Sequence, residues 1–151
     1  MEQESAGDFR FAPERASAML AAMRGALAGE AAVRWAYAFG SFARGEPFRD
    51  VDVGVVTSPG AFSTLRSLGR LANRLAAAAG DGVEVDLVDL QACSLPLVAA
   101  VLDEGVLLVD HTPAERRLWE AECTLRWVDF RPTWETQAAL RRAASRAGRG
   151  G

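Results

Sequence analysis

The stretch 36–56, AYAFGSFARGEPFRDVDVGVV, constrains the fold of this chain most strongly. It predicts a strand, a Gly40-Ser41 turn, one helical turn, a Gly/Pro loop and a second strand. Asp50 and Asp52 lie one residue apart on the second strand, so their carboxylates are expected on one face of the sheet. Two adjacent carboxylates beside a core repel each other unless a cation lies between them. An all-oxygen donor set favours magnesium or manganese as that cation.

The Gly40-Ser41 pair stands where a strand is expected to pass into a helix. Such a turn offers backbone N–H groups and the positive end of a helix dipole, which together favour phosphate. Gly40 would let the backbone approach a phosphate closely, and Ser41 would donate a hydrogen bond to it. A helix N-cap is the structural alternative for Ser41, and both roles are compatible. Phosphate beside a carboxylate-held metal indicates nucleotide chemistry.

These residues carry a resemblance to a known family. Gly40-Ser41, Arg44-Gly45 and Asp50-x-Asp52 together resemble the signature of the DNA polymerase beta-like nucleotidyltransferase superfamily, most closely its minimal nucleotidyltransferase (MNT) branch. The segments 83–90 and 102–109 resemble later parts of the same fold, so the resemblance covers roughly residues 33–132.

The segment 83–90, VEVDLVDL, resembles the strand that supplies the third carboxylate of the family. The resemblance selects Asp86 for this role. Strand alternation alone leaves Glu84 as a rival, because it shares the face of Asp86, whereas Asp89 lies on the other face.

The resemblance implies a site with two Mg²⁺ ions and ATP as substrate. The residues that it assigns to catalysis and metal binding are Asp50, Asp52 and Asp86, and those that it assigns to nucleotide binding are Gly40, Ser41, Arg44 and Arg49. The alternative for the aspartates is a pair of solvent-facing strand residues. The alternative for Arg44 is an ion pair with Glu46. The chain departs from the family pattern in its shorter spacing from Ser41 to Asp50 and in Arg49, which replaces a frequent serine.

The function implied by the resemblance is magnesium-dependent transfer of AMP from ATP to a hydroxyl of a partner protein. Compact relatives of this kind resemble antitoxins that adenylylate and silence a HEPN-family ribonuclease toxin, so a HEPN toxin is the expected partner. Two alternatives are a non-catalytic binding antitoxin of the same fold and a small-molecule adenylyltransferase of the aminoglycoside-modifying type. Some forty residues follow Asp110, which is short for an acceptor-binding domain and favours an acceptor bound in trans.

Composition excludes several other classes of protein. All 17 basic residues are arginine, so a P-loop and Schiff-base chemistry, both of which require lysine, are excluded. The net charge of −3 argues against tight nucleic-acid binding. The sequence has no apolar run long enough for a membrane span and no signal peptide, and we expect a cytoplasmic protein. Cys93 and Cys123 are expected to be reduced, buried thiols, and His111 a surface residue.

The predicted fold is α/β (α+β), a small mixed sheet packed by helices, with further helices at the C-terminus. A single domain is expected over residues 13–140, between a flexible N-terminus (1–12) and a flexible Arg/Gly-rich tail (141–151). The predicted strands are 31–39, 51–56, 83–90 and 106–110, the last at a sheet edge, and the predicted helices before residue 110 are 13–27, 62–79 and 94–103. Val33, Trp35, Tyr37 and Phe39 are expected on one face of the first strand, and Leu65, Leu68, Leu71, Ala72 and Leu75 on the core face of the helix 62–79.

After the last strand, Thr112 is expected to cap a helix, close to a capping box with Glu115. This helix should end near Phe130, and Pro132 should separate it from a last helix over 133–146. The helix carries two apolar stripes: Leu118, Ala121, Leu125 and Val128 form the first, and Trp119, Cys123, Trp127 and Phe130 form the second. An amphipathic surface helix needs only one. The helix is therefore either sandwiched between the sheet and the last helix, or it presents one stripe to a partner.

Overall fold

The computed structural model describes residues 13–80 and 82–150, without the side chains of residues 13–15. The elements in chain order are α1 (Pro13–Ala28), β1 (Val33–Phe39), α2 (Gly40–Ala43), β2 (Asp50–Thr57), α3 (Leu65–Ala79), β3 (Glu84–Asp89), α4 (Leu95–Glu104), β4 (Val106–Asp110) and α5 (Pro113–Arg149). The predicted α/β class with a mixed sheet is confirmed. The predicted N-terminal segment 1–12 lies outside the described residues.

The four strands form one sheet in the order β3-β2-β1-β4, so β4 lies at an edge, as predicted. β1 pairs antiparallel with both β2 and β4. β2 and β3 run parallel, because the helix α3 returns the chain to the same end of the sheet between them. This parallel pair brings residues from two distant segments of the sequence side by side.

Helices cover both faces of the sheet. On one face, α1 and α3 bury Met23, Leu27 and Leu75 against the valines of β2. On the other face, the aromatic side chains of β1 pack beneath Val101 of α4 and Trp119 of α5. The alternation of side chains along β2 explains the division, because Val51, Val53 and Val55 belong to the first core and Val56 to the second. Asp50 and Asp52 alternate with these valines and so share the second face.

The predicted single face for Val33, Trp35, Tyr37 and Phe39 is wrong at its first member. A bulge between Val33 and Trp35 shifts the pairing with β2, and Val33 packs in the core beneath α1. The three aromatic residues stay together on the opposite face. An extra residue in one strand changes the face of everything before it, which simple alternation does not reveal.

Helix α3 begins later than predicted. Thr64 caps it, and its hydroxyl accepts a hydrogen bond from the backbone N–H of Ser67 at 3.1 Å. The Ser67 hydroxyl accepts in return from the N–H of Thr64 at 3.4 Å, which completes a capping box whose cap alone is worth about 1 kcal/mol. Leu65, predicted to face the core, is the first residue of the helix and is 89% exposed, so this prediction is wrong.

Helix α5 is continuous from Pro113 to Arg149, so the predicted break at Pro132 and the separate last helix are wrong. Proline removes one backbone hydrogen bond at a cost of about 3 kcal/mol, which a long helix can absorb. The Thr136 hydroxyl donates to the carbonyl of Pro132 at 3.0 Å. The residues assigned to a flexible tail continue this helix from Arg141 to Arg149, with exposed side chains.

The start of α5 also differs from the prediction. Thr112 is the N-cap residue, but its hydroxyl makes no capping bond, and Glu115 forms an ion pair with Arg34 instead. A polar network fastens the helix to the sheet further along. Tyr37 donates to the Glu120 carboxylate, and Arg116 bonds Asp110 at 2.6 Å and Glu120 at 2.9 Å. Burial, followed by the contact with Glu120, raises the pKa of Tyr37 well above its ordinary value.

Candidate active site

The parallel ladder between β2 and β3 sets the carboxylates together. Asp52 pairs with Asp86, and Asp50, two residues earlier on the same strand, pairs with Glu84. Paired residues on neighbouring strands project to the same face, about 4.8 Å apart along the hydrogen-bonding direction. Asp50 and Asp86 are exposed and Asp52 is half-buried, so the group lies at the open end of the face that α4 covers.

Asp52 shows the electrostatic strain of this arrangement. Burial raises the pKa of its carboxyl, and the negative charges of Asp86 and then Asp50 raise that pKa further. Arg44 opposes them and lowers it, with the smallest effect. The net raised pKa means that the site disfavours its own negative charge, and a bound cation would relieve that cost.

Gly40 lies directly against this carboxylate. Its φ of +74° is in the left-handed region, and a Cβ placed on it would stand 2.3 Å from Oδ2 of Asp52. Phe39, the last residue of β1, pairs with Asp52 across the antiparallel ladder, which explains the proximity. The sequence suggested that the lack of a side chain at Gly40 would let a phosphate approach the backbone. The structure shows that the carboxylate of Asp52 already uses this space.

Ser41 is the second residue of α2, and Phe39 is its N-cap, so the interpretation of Ser41 as a helix N-cap is wrong. The carbonyl of Ser41 accepts a hydrogen bond from the N–H of Glu46 at 3.0 Å, which closes the short loop before β2. Its side chain is half-buried next to Gly40.

Arg44 forms ion pairs with Glu46 at 3.1 Å and with Glu104, at the end of α4, at 2.9 Å. The ion pair with Glu46, which was the alternative to a nucleotide-binding role for Arg44, is therefore present. Glu104 was not foreseen, because nothing in the sequence connects residues 44 and 104 before the helix is placed. Arg49 is exposed and immediately precedes Asp50.

The donor set suits magnesium, since carboxylates on two strands offer only oxygen ligands and their mutual repulsion favours a cation. The carboxylate side chains do not form a complete metal-coordination site in this conformation. Within residues 13–80 and 82–150, no group of three or more histidine, cysteine, aspartate or glutamate side chains is arranged to hold a metal ion. Binding of an ion would therefore require Asp50 and Asp86, whose side chains are exposed, to change rotamer toward Asp52.

Residues 24–114 match the family described as polymerase beta, nucleotidyltransferase. The chain belongs to this family. The match covers more than half of the 151 residues and contains every element from β1 to β4. It therefore includes the strands that carry the three aspartates and the Gly40-Ser41 turn. No curated protein with a similar sequence was found.

Solved structures of toxin–antitoxin complexes are similar in fold. A chain of a toxin–antitoxin complex with AMP-PNP is 24% identical with a TM-score of 0.64, and the match covers 82% of this chain and 97% of that one. A chain of an MntA complex in which two aspartates, one residue apart, are changed to glutamate is 22% identical with a TM-score of 0.65, over 82% and 97%. A chain of the tri-AMPylated Shewanella oneidensis HEPN toxin with its MNT antitoxin is 22% identical with a TM-score of 0.58, over 86% and 96%.

Other predictions about individual residues have clear outcomes. Cys93 and Cys123 are both free thiols; Cys123 is buried as predicted, but Cys93 is only half-buried, so the prediction of burial is wrong for Cys93. Burial raises the pKa of each thiol. His111 is exposed, as predicted, and its ring nitrogens contact the carbonyls of Val33 and Ala28. No helix in the described part of the chain is both long and apolar enough to cross a membrane.

Proposed function

We propose that this protein is a magnesium-dependent nucleotidyltransferase that moves AMP from ATP to a hydroxyl group of a partner protein. The observation that carries the proposal is the register of the parallel ladder, in which Asp52 faces Asp86 while Asp50 lies two residues away on the same strand. Membership of the nucleotidyltransferase family supports this use of the three carboxylates.

Asp50 and Asp52 would hold two magnesium ions, and Asp86 would be the third ligand. Bound magnesium would neutralise the triphosphate and lower the pKa of the attacking hydroxyl. The hydroxyl oxygen would form a bond to the α-phosphorus while the bond to the bridging oxygen breaks and pyrophosphate leaves. Asp86 would accept the proton of the hydroxyl, since it is exposed and can meet an incoming acceptor.

The turn after β1 would receive the triphosphate. Gly40 keeps this turn close to Asp52, and Ser41 would donate a hydrogen bond to a phosphate oxygen. Arg49, which is exposed beside Asp50, would reach the same phosphates. Arg44 is held by Glu46 and Glu104, so its role would be to fix the turn and moderate the charge of Asp52.

We further propose that the acceptor is a HEPN-type toxin and that this protein is its antitoxin, acting in the cytoplasm. One observation supports a protein acceptor. The similar structures named above include a toxin–antitoxin complex with AMP-PNP and a complex that contains a tri-AMPylated HEPN toxin.

A contact-only antitoxin of the same fold is the second candidate. The observation that favours it is the absence of a ready three-carboxylate group in the parts of the chain that the structure describes. A shorter spacing between Ser41 and Asp50 points the same way. The two candidates differ in whether the partner is covalently changed.

The decisive experiment incubates the protein with α-labelled ATP, magnesium and a HEPN-type toxin as candidate partner. Label on the partner, with intact mass rising in steps of one AMP, is the expected result. The double variant Asp50→Asn/Asp52→Asn should leave the partner unlabelled yet still bind it. A partner that is silenced without label establishes the contact-only antitoxin, and label on tRNA or on an aminoglycoside instead overturns the protein acceptor.

A further inference from the structure

Helix α5 presents an apolar stripe to solvent. Leu118 is 63% exposed, Leu125 is 68% exposed and Val128 is 63% exposed, and Ala121 lies between them on the same side. The spacing from 118 to 121, 125 and 128 is three, four and three residues, which is the a/d pattern of a coiled-coil seam. Apolar side chains of this size at seam positions are unusual on a surface that meets only water.

The second apolar stripe of α5, which contains Trp119 and Cys123, attaches the helix to the rest of the domain. No other described element covers the first stripe. Trp119 packs against Trp35 of the sheet in a tilted arrangement with ring centroids 5.6 Å apart, and Cys123 is buried near α4. At about 100° per residue, Leu118 and Leu125 lie roughly 100–160° around the helix from these anchors, which turns them away from the sheet. The expected helix that would have covered the outward stripe does not exist, because α5 continues straight through Pro132.

Charged residues of opposite sign flank the two sides of the outward stripe. Arg117 lies on one side of the seam, at a g position, and Glu122 and Asp129 lie on the other, at e positions. All three are exposed, and none forms an ion pair within the described residues. In a parallel pair of helices, a g residue meets the e residue five positions later on the other helix. Arg117 of one copy would therefore meet Glu122 of the second copy, twice by symmetry.

We propose that two copies of this chain form a parallel homodimer through the outward stripe of α5. An antiparallel pair is disfavoured because it would oppose Arg117 with Arg131 and Glu122 with its own symmetry mate. The seam is short, since Pro132 occupies the next a position after Val128. The dimer is accordingly expected to be weak, with a dissociation constant in the micromolar range.

The first experiment measures the mass of the full chain alone by sedimentation equilibrium across micromolar concentrations. The native chain should approach twice the monomer mass, and Leu125→Asp should remain monomeric. Leu140→Asp is the matched control, because Leu140 is an equally exposed leucine (65%) on the same helix but outside the seam. Circular dichroism checks that both variants keep the helix. A native chain that stays monomeric, or a Leu125→Asp variant that still dimerises, overturns the proposal.

The second experiment tests the parallel orientation by reversing charges. Arg117→Glu alone and Glu122→Arg alone should each be monomeric, because each places like charges across the seam. An equimolar mixture of the two variants should dimerise. One variant then carries acidic side chains at both positions and the other carries basic ones, so opposite charges meet on both sides of the seam. If the mixture stays monomeric while the native chain dimerises, the parallel α5 pairing is wrong.

Discussion

Gly40 and Asp52 are in such close contact that one constrains the other: a Cβ on Gly40 would lie 2.3 Å from Oδ2 of Asp52. The two residues belong to different motifs in the sequence, yet they form one feature of the site. The turn and the carboxylate strand are joined by the antiparallel pairing of Phe39 with Asp52. A substitution in the turn should therefore displace the carboxylate of Asp52 even without bound nucleotide.

Gly40→Ala should abolish AMP transfer, because the new methyl group displaces the carboxylate of Asp52. It should also destabilise the fold by about 1–2 kcal/mol, since alanine is strained at a φ of +74°. Gly45→Ala is the matched control: Gly45 has a φ of +71°, and nothing lies within 4 Å of its Cβ position. Both variants should lose similar stability in urea unfolding, and only Gly40→Ala should lose activity. Equal activity in the two variants would contradict the constraint on Asp52.

Asp52→Asn should stabilise the metal-free protein. Asp52 is an acid with a raised pKa in the folded state, so folding favours its protonated form. Stability is therefore lost as the pH rises from the unfolded pKa through the raised folded pKa, and the penalty persists at neutral pH. The neutral amide removes that penalty, and each kcal/mol regained corresponds to about 2–4 °C in Tm for a domain of this size. Melting in EDTA should show the gain near neutral pH and little of it in acid, and a Tm difference independent of pH would refute the electrostatic origin.

The sequence predicted the architecture well where local patterns decide it. The Thr112–Pro113 boundary, the strand 106–110 and the Asp50-x-Asp52 strand are all where periodicity and turn residues suggested. The predictions that were wrong concern features that depend on contacts between distant segments of the chain. Glu115 was expected to cap its own helix but pairs with Arg34, a residue far away in the sequence.

The long helix α5 shows the same limit. Pro132 is a strong local signal for a break, yet the helix continues through it to Arg149. The candidate site could be predicted as a set of residues, but the pairing between their strands could not. Asp86 was preferred to Glu84 only by resemblance. In the ladder Asp86 pairs with the half-buried Asp52, whereas Glu84 pairs with the exposed Asp50.

That difference predicts unequal effects for two neutralising variants of β3. Asp86→Asn should reduce transfer by more than about 100-fold, since even residues that only support metal ligands cost about 10–100-fold. Glu84→Gln, on the same strand and equally exposed, should have a small effect. Initial rates with saturating ATP and magnesium measure both. The reverse order of effects would assign the third ligand to Glu84.

ATP binding should depend on magnesium because the carboxylates repel a bare triphosphate. Asp50 and Asp86 already raise the pKa of Asp52, and added phosphate charge increases this repulsion. Isothermal titration calorimetry in EDTA and in magnesium should differ by at least about tenfold in Kd, which is about 1.4 kcal/mol. In the variant Asp50→Asn/Asp52→Asn the magnesium dependence should shrink, because the amides neither repel the phosphates nor hold the ion by charge. Equal affinity of the native protein in EDTA and in magnesium would mean that the three aspartates serve no metal, and the proposed chemistry would then fail while the α5 dimer would be unaffected.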